Sequence, residues 1–266
     1  MSRTRQVQEQ PMILYYSATG NTRHVAHRLA EAFDDQAVSI LDAQSDGRRS
    51  FELAAGETLG IVTPTYFMGL PTLMSDFLDK LELHTADDTP YAYLVITFGN
   101  FSGTVRSSTT AALRAKGIPL AAAFGVRMVD TWTPVFDVSN QERNKRITRA
   151  ADAAVNDIAA AVRTRATGSH RVRTGPPLVG SLMHASWKST RSTRPFFVES
   201  TCIGCGLCAK TCPVSAIRME GGTPVWVADT CAQCLSCLHR CPVFAIQHGP
   251  KTKGHGQWVH PDEASA

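Results

Sequence analysis

Met12-Ile13-Leu14-Tyr15-Tyr16 runs directly into Ser17-Ala18-Thr19-Gly20-Asn21-Thr22, and the segment from Arg23 to Phe33 then carries Val25, Leu29 and Phe33 at helical spacing. The apolar run reads as a buried strand, the hydroxyl- and glycine-rich stretch as a turn, and the remainder as a helix. In that order the three parts aim the free amides of a helix N-terminus, with its dipole, at an anion. Ser17, Thr19 and Thr22 add hydroxyl donors without a charged side chain. The stretch has neither the Gly-Lys-Ser/Thr of a Walker loop nor a G-x-G-x-x-G turn, so a monophosphate is the expected anion. An ordinary helix-capping turn is the alternative.

Outward from this stretch, strands and helices alternate. Ala37–Leu41, Leu59–Thr63, Tyr91–Thr97 and Ala121–Val129 read as four more strands, with helices over Leu70–Leu83, Gly103–Lys116 and Ser139–Arg163. Five parallel strands with interleaved helices predict an α/β, doubly wound sheet of order 2-1-3-4-5. Ligands of such sheets sit outside the carboxyl ends of the strands. Those ends carry the phosphate turn, then Pro64-Thr65-Tyr66-Phe67-Met68-Gly69, then Phe98-Gly99-Asn100-Phe101-Ser102-Gly103. Aromatic side chains beside glycines offer flat apolar faces and close backbone amides, which suits a planar ring. Tyr66, Phe67, Phe98 and Phe101 are the stacking candidates, with Asn100 and the backbone at Gly99 and Gly103 at the ring's polar edge.

All eight cysteines fall in one window. Cys202-x2-Cys205-x2-Cys208-x3-Cys212-Pro213 is repeated, 29 residues on, as Cys231-x2-Cys234-x2-Cys237-x3-Cys241-Pro242. A duplication this regular is an internal repeat. The pattern is that of bacterial [4Fe–4S] ligation, in which the fourth cysteine of each run serves the other cluster. Cluster I is therefore assigned to Cys202, Cys205, Cys208 and Cys241, and cluster II to Cys231, Cys234, Cys237 and Cys212. Structural zinc asks for two pairs of ligands rather than triplets followed by Cys-Pro. A disulfide framework asks for export, and Met1–Gln10 is polar with no hydrophobic core of a signal sequence. A cytoplasmic address and no membrane span are expected.

The net charge of +4 is uneven: Ala161–Ser200 holds seven Arg/Lys against the single acid Glu199, while 12–160 is mildly acidic. The basic stretch is read as a solvated connector rather than a nucleic-acid surface, or as cations offsetting the negative charge of thiolate-ligated clusters. The resulting organisation is a disordered tail at 1–11, an α/β unit at 12–165, a basic connector at 166–195, a two-cluster unit at 196–249 and a C-terminal tail at 250–266.

The Ser17-x-Thr19-Gly20-Asn21-Thr22 run resembles the flavodoxin phosphate loop, which implies FMN as the phosphate-bearing ring. The chain as a whole resembles the flavodoxin–ferredoxin fusions found mainly in anaerobes, often labelled EFR-type ferrodoxins. The resemblance takes in Tyr15-Tyr16 with the phosphate run, Tyr66-Phe67-Met68-Gly69-Leu70-Pro71, both cysteine runs, Pro224-Val225-Trp226, Lys251-Thr252-Lys253-Gly254 and His260-Pro261. It implies a flavodoxin-like FMN domain exchanging electrons with a ferredoxin-like domain. The long basic connector departs from the family pattern.

The expected role is electron transfer between FMN and two [4Fe–4S] clusters, docking redox-protein donors and acceptors, with no catalytic residue assigned. The rival is an FMN-dependent oxidoreductase fed by the clusters. It calls for an acid or base beside the flavin, for which His24, His84 and His239 are candidates.

Overall fold

The computed structural model describes residues 12–264; the expected disordered tail at 1–11 lies outside the described residues. The N-terminal unit runs β1 (Met12–Tyr15), α1 (Asn21–Phe33), β2 (Gln36–Ser39), α2 (Ile40–Ser45), β3 (Ser50–Leu53), β4 (Thr58–Pro64), α3 (Thr72–Lys80), β5 (Glu82–Thr85), β6 (Tyr91–Phe98), α4 (Val105–Arg114), β7 (Leu120–Arg127) and α5 (Gln141–Arg163). β8 (Gly168–His170) and α6 (Pro177–Thr190) follow. The cysteine-rich unit holds β9 (Phe196–Val198), α7 (Leu207–Lys210), β10 (Ile217–Glu220), β11 (Thr223–Trp226), α8 (Ser236–His239) and β12 (Ile246–His248), and the tail adds α9 (Thr252–His255) and α10 (Pro261–Ala264).

The central sheet has the order β2-β1-β4-β6-β7-β8, all parallel. The five expected strands stand in the expected order, and β8 extends the β7 edge. All four residues of β1 and all eight of β6 are buried, as in a parallel sheet covered on both faces. Alternate residues feed two cores. Leu14, Ile61 and Leu94 pack with Phe77 and Met74 of α3 on one face. Ile13, Val62 and Val95 pack with Val25 of α1 and Val155 of α5 on the other. Two expectations shift here. The helix expected to reach Leu83 stops at Lys80, and Glu82–Thr85 pairs in parallel with Ser50–Leu53 as a separate two-stranded sheet. Leu81 and Leu83 fit a period of two as well as a helical one. The connector also holds β8 and the 14-residue α6.

The cysteine repeat is copied in backbone geometry. Gly204 and Gly206 have φ of 67° and 73°, and their equivalents 29 residues on, Gln233 and Leu235, have φ of 48° and 56°. Both runs thus take the same left-handed turns, at glycine in the first and against side-chain sterics in the second. The residue after each Cys-Pro pair plus one, Ser215 and Phe244, has φ 50° in both. Phe196, Ile217, Leu235, Leu238 and Ile246 form the apolar centre of this unit.

Candidate functional site

A cavity of about 590 Å³ opens at the carboxyl ends of β1, β4, β6 and β7. Ser17, Ala18, Thr19, Asn21 and Thr22 line it from the phosphate turn, Pro64 to Phe67 from the loop after β4, and Phe98 to Phe101 from the loop after β6. Gly20 and Gly103, the remaining expected site residues, do not line it. A Cβ on Gly103 would sit 1.9 Å from the Met68 carbonyl oxygen, so Gly103 lets two cavity loops touch. Gly20, at φ 92°, lies under the C-terminal tail, where a Cβ would meet Glu263 and His260.

The phosphate turn leaves the start of α1 open: no side chain caps it and no acid occupies its first turn, and Asn21 and Thr22 of that turn line the cavity, where uncapped amides suit an anion. Ser17 Oγ accepts from Gly20 N (3.2 Å). Thr22, expected as a phosphate donor, instead shares a hydrogen bond with Thr97 at 2.7 Å between their hydroxyls. Asn21 donates to the Val129 carbonyl and accepts from Trp258 Nε1, each at 2.9 Å. Thr19 is the hydroxyl of the turn left without a partner among the described residues. Thr65 Oγ1, also on the cavity wall, is buried without a partner. An uncapped helix start, an unpaired buried hydroxyl and flat aromatic walls fit an FMN.

The loop after β4 is a tight turn closed by Tyr66 N to Gly69 O and Gly69 N to Tyr66 O, both 2.9 Å. Its central residues, Phe67 and Met68, have φ of 47° and 60°, a costly conformation for side chains of this size. Helix α6 holds the turn in place. Trp187 stacks on Phe67 with ring centroids 5.4 Å apart and planes 13° apart. His184 Nδ1 donates to the Tyr66 carbonyl (3.1 Å). Sequence reading missed this lid; the signal was present in Pro176-Pro177 followed by Leu178, Val179, Leu182, Met183 and Trp187 at helical spacing, but the arginines around it drew the reading toward solvent.

The loop of the second cysteine run closes the cavity: Gln233, Cys234 and Leu235 form part of its wall. Tyr66 Oη donates to Tyr16 Oη (3.2 Å) beside Cys234. Burial, above all, holds both phenols well above their ordinary range. Burial likewise pushes the Cys234 thiol up to about 12 and raises Cys237, Cys208 and Cys231. Thiolates here need a cation beside them.

All eight cysteines are free thiols, not disulfides. The structure gathers them into two groups that each draw on both runs. Cys202, Cys205, Cys208 and Cys241 surround one small cavity, and Cys212, Cys231, Cys234 and Cys237 another. Backbone amides donate to sulfur at equivalent places, Ala216 N to Cys212 and Ala245 N to Cys241, both 3.2 Å. Four converging thiols with amide donors suit a cubane cluster.

None of the candidate histidines lines the flavin-sized cavity. His24 Nε2 meets Asp152 at 2.7 Å and its Nδ1 meets Asp262. His84 is exposed on β5. His239 is buried, donates Nε2 to the Thr131 carbonyl (2.8 Å) and is held down at about 4 by desolvation. The carboxyl on the cavity wall is Asp130, raised by burial although it accepts from Trp132 N (3.1 Å).

The tail at 250–266 is packed in its described part. His260 N donates to the Thr19 carbonyl (2.9 Å), and the His260 ring stacks on His24 at 4.0 Å. Gln257 Nε2 donates to the carbonyls of Leu238 and Cys241 (2.7 and 2.9 Å). Arg240, beside Cys241, donates to the Ala18 carbonyl (3.0 Å) and pairs with Glu263 (2.7 Å). One segment thus touches both the phosphate turn and the second cysteine run.

Among known protein families, a flavodoxin domain matches residues 12–153 and a 4Fe-4S dicluster domain matches residues 194–242. Among solved structures, the chain is similar to the Trp repressor binding protein from Bacillus subtilis, with 13% identity over 54% of this chain and 96% of that one (TM-score 0.35). It is similar to a flavodoxin from the domain Archaea, with 18% identity over 57% and 99% (TM-score 0.34). It is also similar to the Streptococcus pneumonia TIGR4 flavodoxin, with 20% identity over 56% and 97% (TM-score 0.33). No curated protein matches the chain. No helix among the described residues is long and apolar enough to cross a membrane. The chain belongs to the flavodoxin family, fused to a ferredoxin-type 4Fe-4S unit, and is a redox electron-transfer protein that uses FMN and iron–sulfur clusters.

Proposed function

We propose that the chain passes electrons between FMN in the N-terminal cavity and two [4Fe–4S] clusters, and thereby links one-electron redox proteins to two-electron partners. The observation that carries this reading is the shared wall: the loop bearing Cys234 is part of the flavin-sized cavity. FMN accepts one or two electrons, and a cluster passes one. In this reading the amides of the Ser17–Thr22 turn and the hydroxyls of Ser17 and Thr19 hold the phosphate, while Thr22 is tied to Thr97. Pro64–Phe67 and Phe98–Phe101 embrace the ring, and Gly103 seats one loop on the other. Cys212, Cys231, Cys234 and Cys237 hold the cluster nearer the cavity; Cys202, Cys205, Cys208 and Cys241 hold the outer one, where Cys205 is exposed. The flavin unit spans 12–165 and the cluster unit 196–249, with 166–195 between them serving as a lid as well as a link.

The chain's own residues keep the centres dry and fix the field around them. Trp187, Phe67 and Trp132 screen the cavity edge, and the amide donors on Cys212 and Cys241 favour the reduced state of a cluster. The test is flash photoreduction of the anaerobic holoprotein, followed optically and by EPR. Electrons should redistribute between flavin and clusters at a rate independent of protein concentration. A rate proportional to concentration would mean that the centres communicate only between molecules. Asp130 favours a second reading, FMN-dependent reduction of a small substrate, because its raised pKa lets it hold a proton at the cavity wall. Rapid bleaching of the flavin by anaerobic NADPH would move the chain toward that reading.

A further inference from the structure

Helix α6 turns a narrow seam toward the flavin loop and a broad apolar face to solvent. Gly180, His184 and Trp187 make the seam, against Met68, Gly69 and Phe67. On the outer face Leu178 is 79% exposed, Leu182 71% and Val179 52%. Met183, beside them, is 44% exposed and also lines the cavity, as do Phe101 and Val135 at 40% and 60%. Lining side chains that remain exposed mark where a cavity opens, so the opening and the α6 face are one continuous apolar surface. Patches of this kind on a soluble chain mark interaction sites.

Cations flank the patch, and the acid beside it is Asp130, on the cavity wall. The Arg173 guanidinium lies 5.5 Å over the Phe101 ring, and that of Arg191 lies 5.8 Å from the Trp187 ring. Arg127 Nε donates to the Gly99 carbonyl (3.1 Å) on the cavity loop, and Lys188 is exposed in the last turn of α6. Among the described residues none of these four cations is in an ion pair. No acid occurs between Ala161 and Val198.

We propose that this surface docks an acidic one-electron redox protein, its apolar centre over the cavity opening and its carboxylates facing Arg127, Arg173, Lys188 and Arg191. The inference rests on the electron-transfer reading above and adds where the partner sits and what its surface is made of. Unpaired cations beside the opening steer an acidic partner to it and bias its orientation. A second copy of the chain fits poorly, because a two-fold contact would bring the same cations face to face. A lipid surface is the other occupant that an apolar helix face beside cations could take, and the flotation arm of the test separates it from a protein partner.

The test uses stoichiometrically reduced holoprotein mixed anaerobically, in separate runs, with an acidic cytochrome b5 haem domain and with basic cytochrome c. Each ferric haem takes one electron from the holoprotein and becomes ferrous. With the acidic probe the bimolecular rate should fall about tenfold as salt rises from about 20 mM to about 500 mM. The basic probe should be slower at low salt and speed up as salt is added. The Leu178→Ser/Leu182→Ser variant should lose about tenfold in rate with the acidic probe, with FMN and iron content unchanged, and Arg173→Glu/Arg191→Glu should reverse the salt dependence. Equal behaviour of the two probes, or variants that match the parent, would overturn the docking surface while leaving electron transfer standing. No transfer to either probe would overturn the underlying reading instead. Flotation with vesicles containing about 30% phosphatidylserine, or a sedimenting dimer, each abolished by Leu178→Ser/Leu182→Ser, would assign the surface to lipid or to self-association and overturn the proposal.

Discussion

Replacing Trp187 by Ala asks whether α6 is a true wall of the cavity. Trp187 is 3% exposed although its helix lies at the surface. Its ring stacks on Phe67 at 5.4 Å, meets Tyr66 edge-on at 6.1 Å and lies against His184 at 5.2 Å. A buried Trp removes about 150–250 Å² from water, and truncation of such a residue costs about 3–5 kcal/mol. Because α6 can sag toward the gap, the low end, about 3 kcal/mol, is the appropriate figure. A 14-residue helix is only marginally stable alone, so this loss falls mainly on the docking of α6 rather than on the sheet. At about 1.4 kcal/mol per decade it raises the undocked fraction about 100-fold. Native-state hydrogen exchange should show protection of the α6 amides falling by about that factor while β6 is unchanged. FMN should leave faster by a comparable factor, with iron per chain unaltered. Trp187→Phe, which keeps a ring on Phe67, should recover most of both. Wild-type exchange in α6 together with wild-type FMN release from Trp187→Ala would refute the lid.

Other perturbations separate the remaining assignments. Cys212→Ala should remove about half the iron and the EPR signal of the cluster whose other ligands are Cys231, Cys234 and Cys237, although Cys212 lies in the first run; loss of the other cluster's signal would undo the crossed grouping. Thr19→Val should weaken FMN binding about tenfold, the worth of one hydrogen bond to a charged group, with iron content constant, as read by fluorescence of released flavin. Asp35 is raised from 3.8 to about 6, by burial first and then by Glu57 against the opposing hydrogen bond from Gln36. Its contribution to stability is therefore fully present below about pH 4 and lost as pH rises through about 6. The full shift corresponds to about 3 kcal/mol, which solvent screening at this half-buried position reduces to about 1. Asp35→Asn should raise the Tm by about 2–4 °C at pH 8 and by nothing measurable at pH 4 in thermal scans.

What could be read along the chain was whatever repeats or alternates locally. The β1–turn–α1 start was legible because a buried strand, a small-residue turn and a helical stripe follow one another within 22 residues of Met12 to Phe33. The cysteine repeat was legible because ligation imposes spacing directly. Leu81 and Leu83 misled because two periods share those positions, and α6 was obscured because its one buried seam is narrow while arginines flank it. The contacts between the units had no local trace at all. His260 to Thr19, Arg240 to Ala18 and Trp258 to Asn21 join residues more than 200 positions apart, and no periodicity or spacing in the sequence marks any of them as a contact. Yet these contacts decide what the molecule can do. The same segment that covers the phosphate turn also holds the carbonyls of Leu238 and Cys241 through Gln257, so one stretch of chain braces the flavin loop and the second cysteine run together. Two modules joined only by a chain would exchange electrons at the mercy of diffusion; here Met183 of the lid and the Cys234 loop wall one cavity, the tail braces the phosphate turn against the second cysteine run, and packing fixes how the two units meet.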